Sequence, residues 1–154
     1  MEDRERFVEL IRALPLVSVD LVLVRDGREV LLGLRNNRPA QGWWFVPGGR
    51  ILKNEKRADA LTRVAARELG IADIHALKPA FLGPFEHFYA DCFAGDNGVS
   101  THYVVLGHRI DVPAGFEIPG SDDQHEALRW WPIAEALGSD RVHRFTQDYL
   151  PLLG

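Results

Sequence analysis

Residues 16–35 constrain the fold more than any other stretch: two apolar runs, LVSVDLVLV and REVLLGLR, flank the dipeptide Asp26-Gly27. Asp-Gly favours a two-residue hairpin turn, because both central positions need positive φ. Strands joined this tightly run antiparallel, so strictly parallel βαβ winding is not supported. Pairing Arg25 with Arg28 across the turn sets Ser18 opposite Arg35 and Asp20 opposite Gly33, which makes Asp20 and Arg35 diagonal neighbours on one face with Ser18. The other face then holds Val19, Leu21, Leu23, Val30, Leu32 and Leu34. One side reads as core and the other as unusually polar, and a structural ion pair explains that polarity as readily as a functional one.

Phe7, Leu10, Ile11 and Leu14 recur at helical spacing until Pro15, which predicts an N-terminal docking helix over about residues 2–14. Residues 36–50, NNRPAQGWWFVPGGR, read as two loops around a short apolar strand at Trp43, Trp44 and Phe45, with Gly48-Gly49 leading towards a helix. That helix spans 55–69, with Ala58, Leu61, Ala65 and Leu69 in one stripe, Glu68 at its edge and Gly70 at the C-terminal position that favours positive φ. THYVVLGHRI and EALRWW read as strands, PIAEAL and SDRVHRFTQDYL as helices, and PFEHFYADCFAGDNG as a long loop or irregular hairpin. The alternation defines a mixed α/β or α+β domain.

The 154 residues suffice for one domain with its own core but not comfortably for two. With 18 Lys+Arg against 22 Asp+Glu, the net charge of −4 argues against broad attraction to nucleic acid or an anionic membrane. A single cysteine, Cys92, excludes an intrachain disulfide and a thiolate zinc site and suits the reducing cytoplasm. No run approaches the roughly 18 apolar residues of a membrane span. The expectation is a cytoplasmic protein with neither nucleic-acid nor membrane partners.

Residues 49–71, GRILKNEKRADALTRVAARELGI, resemble the Nudix box, G-x5-E-x7-R-E-U-x-E-E-x-G-U with U aliphatic. Gly49, Glu55, Arg63, Glu68, Gly70 and Ile71 fall on their places. The physical logic is a loop feeding a helix whose acidic edge holds a divalent cation, which in turn binds a diphosphate that carboxylates alone would repel. Two positions depart: Val64 stands where the box has the Glu of its R-E pair, and Arg67 where it has the first Glu of its E-E pair. With two metal-associated carboxylates gone, attack on phosphorus assisted by several cations becomes doubtful.

LLGLRNNRPAQGWWFVPGGR, THYVVLGHRI and DDQHEALRW are similar to segments of the GDP-mannose mannosyl hydrolases, a Nudix subgroup whose box is depleted in the same way. The resemblance spans nearly the whole chain and implies one Nudix domain over residues 1–154, a mixed central β-sheet sandwiched between helices, acting as a homodimer on a nucleotide sugar. It implies hydrolysis of GDP-mannose or GDP-glucose to GDP and free sugar, with water attacking the anomeric carbon and inverting it. One Mg²⁺, with Mn²⁺ able to substitute, would be held by the Gly48 carbonyl, Glu68 and Gln124. His125 would be the general base, where a near-neutral imidazole can take the proton of the attacking water. Arg35, Arg50 and Tyr103 fall on positions that contact the diphosphate or leaving group, and Asp20 on one associated with sugar recognition and catalysis. Phe7 matches a guanine-binding position, in its own site or reaching into a partner subunit, although base rates favour a core-facing Phe. No general acid is needed, because GDP leaves as an anion that a metal ion and cationic donors stabilise.

His87 and the aromatic run Phe85, Phe88 and Tyr89 are candidates to line the sugar pocket, but no role is assigned to them; Cys92 reads as a passive small residue, and Trp43, Trp44, Trp130 and Trp131 as core or interface. Two other functions compete: a pyrophosphohydrolase releasing a nucleoside monophosphate and sugar 1-phosphate, and a nucleotide-sugar binding domain without turnover.

Overall fold

In a computed structural model of the chain, which describes residues 3–36, 38–92, 95, 98–120 and 125–154 and leaves the side chains of His125 and Glu126 aside, β1 (Leu16–Arg25) and β2 (Glu29–Arg35) form the expected hairpin. Asp26 and Gly27 have φ of 54° and 63°, and the Arg28 N–H donates to the Arg25 carbonyl at 3.0 Å. The register corrects the expectation by one residue: Arg25 lies opposite Glu29 and Val24 opposite Val30. Electrostatics favours this, since the expected pairing opposes two arginines, whereas the observed one lets Arg25 Nε donate to Glu29 at 2.8 Å.

A one-residue slip turns every β2 side chain to the other face. Leu31 therefore joins Val19, Leu21 and Leu23 on one side, while Val30 and Leu32 join Val22 and Val24 on the other. Both faces are core, which overturns the reading of one apolar and one polar side.

Beyond Val24 the two strands part. β1 pairs in parallel along its whole length with β6 (Thr101–Val112), and at Ser18–Asp20 its other edge takes β4 (Gly48–Arg50). β2 pairs with β7 (His125–Pro132) and, at Gly33 and Leu34, with β3 (Trp44–Phe45). Residues 44–50 thus fill the V between β1 and β2, and Asp20 and Ser18 face Gly48 and Arg50 instead of Gly33 and Arg35. Two glycines make the wedge possible. A Cβ on Gly48 would strike the Val19 carbonyl and Asp20 Oδ1, and one on Gly49 would lie 2.9 Å from Val64 Cγ2.

β5 (Ala80–Tyr89) completes the mixed sheet, order β3-β2-β1-β6-β5, as the antiparallel partner of β6. The segment beginning PFEHFY is therefore the hairpin of the two forms expected for it. One face of the sheet is covered by α2 (Arg57–Leu69), which buries Leu61, Val64, Ala65 and Leu69 and ends at Gly70 with φ 70°. The other is covered by shorter C-terminal elements than the sequence suggests: single turns α3 (Ile133–Ala136) and α4 (Arg144–Gln147), then a 3₁₀ turn at 150–152.

The N-terminal helix, α1 (Arg4–Ala13), is capped by the Asp3 carboxylate accepting from the Glu5 N–H. It buries Val8 and Ile11 against Cys92 and Val99, and leaves Leu10 and Leu14 exposed, so only part of the expected stripe docks. Trp44 and Trp131 are core, and Trp43 is exposed. No helix among the described residues is long and apolar enough to cross a membrane.

Candidate active site

Beside residues 44–50, which fill the V between β1 and β2, lies a cleft with three adjoining lobes, all walled by Arg35, Arg50 and Tyr103. β2 ends at Arg35, where Nε donates to the Pro39 carbonyl at 3.0 Å. Arg50 ends β4, and its guanidinium lies 4.3 Å over the Phe7 ring of α1. Tyr103 comes from β6, opposite Leu16 at the start of β1. Burial pushes its hydroxyl pKa up, against the pull of Arg35 and Arg50, so at neutral pH it stays a hydrogen-bond donor.

The first lobe, about 90 Å³, is lined by Asp20, Gly48, His87 and Tyr89 besides the shared residues. Asp20 is 9% exposed and accepts a hydrogen bond from the Tyr149 hydroxyl at 2.9 Å. Burial raises its pKa from 3.8 to about 7, although the Tyr149 hydrogen bond and the charge of Arg35 both pull it down. A carboxyl so placed holds a proton or releases one near neutrality. His87 stacks on Phe145, with ring centroids 4.3 Å apart and planes 2° from parallel. Burial, with the charge of His143, depresses its pKa to about 4, so its imidazole is neutral at physiological pH.

The second lobe, about 210 Å³, lies between β4 and α2 and is lined by Gly48, Gly49, Arg63, Val64, Arg67 and Glu68. Arg63 donates from Nε and Nη2 to the Glu55 carboxylate, both at 2.8 Å, and from Nη2 to the Arg50 carbonyl at 2.7 Å. This pair ties the loop before α2 to β4 and holds the Glu55 pKa down at about 2, chiefly through the hydrogen bonds from Arg63. Val64 packs on Gly49 and is buried, so it belongs to the core beneath the lobe. Glu68 is 3% exposed and is the acidic residue of the lining. The third lobe, also about 210 Å³, runs past Phe7, Ile11, Arg38 and Pro39. Phe7 thus lies half-buried against its own subunit's cleft.

Asp20, Arg35, Gly48, Arg50, Tyr103, Glu68 and Phe7 therefore all line this cleft. Backbone pairing puts His125, the first residue of β7, opposite Arg35. Gln124 lies outside the described residues. Sequence reasoning left His87 and Tyr89 without a role, and missed Tyr149. Alternation along a strand could have assigned His87 and Tyr89 to the cleft and set Phe88 apart, because residues 85, 87 and 89 share a face. Tyr149 gives no local signal, being 129 positions from Asp20.

Mg²⁺ prefers oxygen ligands. The Gly48 carbonyl and the buried Glu68 carboxylate, in one lobe, supply oxygen donors that fit such an ion. Among the described residues no three His, Cys, Asp or Glu side chains converge to hold a metal, which leaves no cage of several carboxylates there.

This cleft, at the loop and helix that follow a splayed hairpin in a mixed sheet, is that of a Nudix hydrolase, and the chain belongs to the Nudix family, whose domain matches residues 14–153. Nudix hydrolases act on small nucleotide substrates and generally use a divalent metal such as Mg²⁺. The chain is 41% identical over 145 residues, 94% of its own length and 85% of the other's, to the low-salt glycan biosynthesis protein Agl8 of Haloferax volcanii. It is similar to the MutT Nudix hydrolase structure from Burkholderia pseudomallei, with a TM-score of 0.69 and 28% identity over 90% of this chain and 97% of that one. A MutT protein structure from Methanosarcina mazei Go1 has the same TM-score at 19% identity, covering 90% of this chain and 93% of that one, and speaks for the fold alone.

Proposed function

We propose that the protein hydrolyses GDP-mannose, and GDP-glucose, to GDP and free sugar by attack of water at the anomeric carbon with inversion. The observation that carries this reading is the state of the box helix. Val64 is buried against Gly49, Arg67 faces the cleft, and Glu68 is the carboxylate that lines the lobe among the described residues. That arrangement favours one cation over several, and one cation serves departure of a diphosphate better than attack on phosphorus. The glycan-biosynthesis description of Agl8 also supports a sugar-bearing substrate.

Gly48, Glu68 and Gln124 would hold one Mg²⁺, or Mn²⁺ in its place, which when bound supplies positive charge to the diphosphate. His125 takes a proton from water while the water oxygen bonds to the anomeric carbon from the face opposite the nucleotide. The bond from that carbon to the bridging oxygen breaks, and its electron pair leaves on the β-phosphate of GDP. Arg35, Arg50 and Tyr103 donate hydrogen bonds to those phosphate oxygens, and the forked guanidiniums suit them. Asp20 faces the sugar, and its ionised form offsets the positive charge that grows on the ring. The third lobe receives the guanine, with Phe7 as its apolar wall. The chain acts as a homodimer, as the subgroup resemblance suggests.

Hydrolysis of GDP-mannose with Mg²⁺ in ¹⁸O-labelled water tests this. Label on free β-mannose, with unlabelled GDP, is expected; GMP and mannose 1-phosphate would instead assign attack at phosphorus. His125→Ala is expected to lower turnover by about 10²–10⁴-fold with metal binding intact, and Glu68→Ala to weaken Mg²⁺ binding.

A further inference from the structure

Arg63 and Arg67 lie one turn apart on α2 and line the same lobe of the cleft. They are engaged differently. Arg63 is neutralised by its forked pair with Glu55, whereas the Arg67 side chain makes no hydrogen bond or ion pair with any described residue. An arginine in a last helical turn commonly caps free carbonyls or pairs with an acid four residues back. The Arg67 side chain makes neither contact with a described residue. The carbonyls of Ala65 and Ala66 accept from the Gly70 N–H, that of Leu69 accepts from the Gly120 N–H, and the residue four back is Arg63 itself.

Charge in the lobe points outward to a ligand. Among the described residues, Arg35, Arg50, Arg63 and Arg67 face Glu68 in the lobe and Glu55 on Arg63, an excess of two positive charges before any cation binds. With Arg63 neutralised by Glu55, an anion seated between Arg67 and the opposite wall would meet the charge that Arg67 brings to the lobe. We propose that Arg67 binds the diphosphate of the substrate, so that this lobe is an anion subsite able to hold a diphosphate without a metal ion. A guanidinium stands where the Nudix box has a carboxylate, and the positive charge that a further cation would bring is carried by the chain. The ligand class rests on the reading of the cleft as a nucleotide-diphosphate site.

Calorimetric titration of protein dialysed against EDTA with inorganic pyrophosphate, and then with GDP, tests the subsite. The wild type is expected to bind both. Arg67→Ala is expected to weaken both about tenfold, as loss of one charge-assisted hydrogen bond at a solvated rim implies. Arg67→Glu should abolish metal-free binding, and Arg28→Ala, in the exposed β1–β2 turn, should bind as the wild type does. Far-ultraviolet circular dichroism checks that each variant is folded. No metal-free binding by the wild type, or equal affinity in Arg67→Ala, overturns the proposal. Arg67-dependent pyrophosphate binding without turnover of GDP-mannose would sink the hydrolase reading and leave this subsite standing, while turnover with an indifferent Arg67 would do the reverse.

Discussion

Acidification gives a quantitative test of the neutral imidazole in the cleft. His87 is 3% exposed, stacks on Phe145, and its Nε2 has no hydrogen-bond partner among the described residues. Its pKa is held down from 6.5 to about 4, first by burial and then by His143. Because the folded value lies below the unfolded one, the unfolded chain takes up the extra proton between pH 6.5 and 4. Stability from this group is therefore complete above pH 6.5 and lost as pH falls. At roughly 1.4 kcal/mol per pH unit the loss reaches about 3 kcal/mol below pH 4, and about 2 kcal/mol at pH 5. His87→Phe preserves a ring against Phe145 and removes the titration. Urea unfolding of both proteins at pH 8 and pH 5 should show the wild type losing about 2 kcal/mol more than the variant. His143, also depressed to about 4, is common to both and cancels. An identical loss in the two proteins would refute a buried, neutral His87.

Val64→Glu, which rewrites the box towards its usual form, should destabilise the protein by about 2–4 kcal/mol without adding a bound cation, since it sends a carboxylate into the core beneath Gly49; urea unfolding and metal titration check this. Gly48→Ala should lower turnover of GDP-mannose by about 10²-fold or more, because its Cβ meets Asp20 Oδ1 and the Val19 carbonyl and spreads β4 from β1; steady-state kinetics would refute it by showing wild-type turnover. Glu55 has a folded pKa of about 2, below the usual 4.5, so its pairing stabilises above pH 4.5 and fades as pH falls towards 2. Glu55→Gln should accordingly have a lower Tm than the wild type at pH 7, with the gap narrowing between pH 5 and 3.

What was legible in the sequence is what short-range physics sets. Asp26-Gly27 announces its turn because few residue pairs tolerate two positive φ values, and both are observed. The stripe of α2 and its stop at Gly70 follow from a 3.6-residue period and the one residue without a Cβ. The box residues Gly49, Glu55, Arg63 and Glu68 could be read because their spacing is fixed along one loop and one helix. The register of β1 on β2 was misjudged although the turn was right, since Arg25 chose Glu29 over Arg28.

Other features belong to the tertiary structure because they depend on which distant strand takes each edge. Val19, Leu21 and Leu23 alternate with Val22 and Val24, and only packing on both faces reveals that none of them is solvated. Asp20 and Arg35 share a cleft by a route that local pairing could not supply: β1 turns to β6 and β4, β2 turns to β7 and β3, and residues 44–50 between them line the cleft with both. The sequence by itself determined the turn, the box helix and the candidate residues, whose causes lie within a few neighbours. The tertiary structure decided that Asp20 would be buried under Tyr149, His87 kept neutral and Arg67 left facing the cleft, because burial and charge are set by residues brought together from across the whole chain.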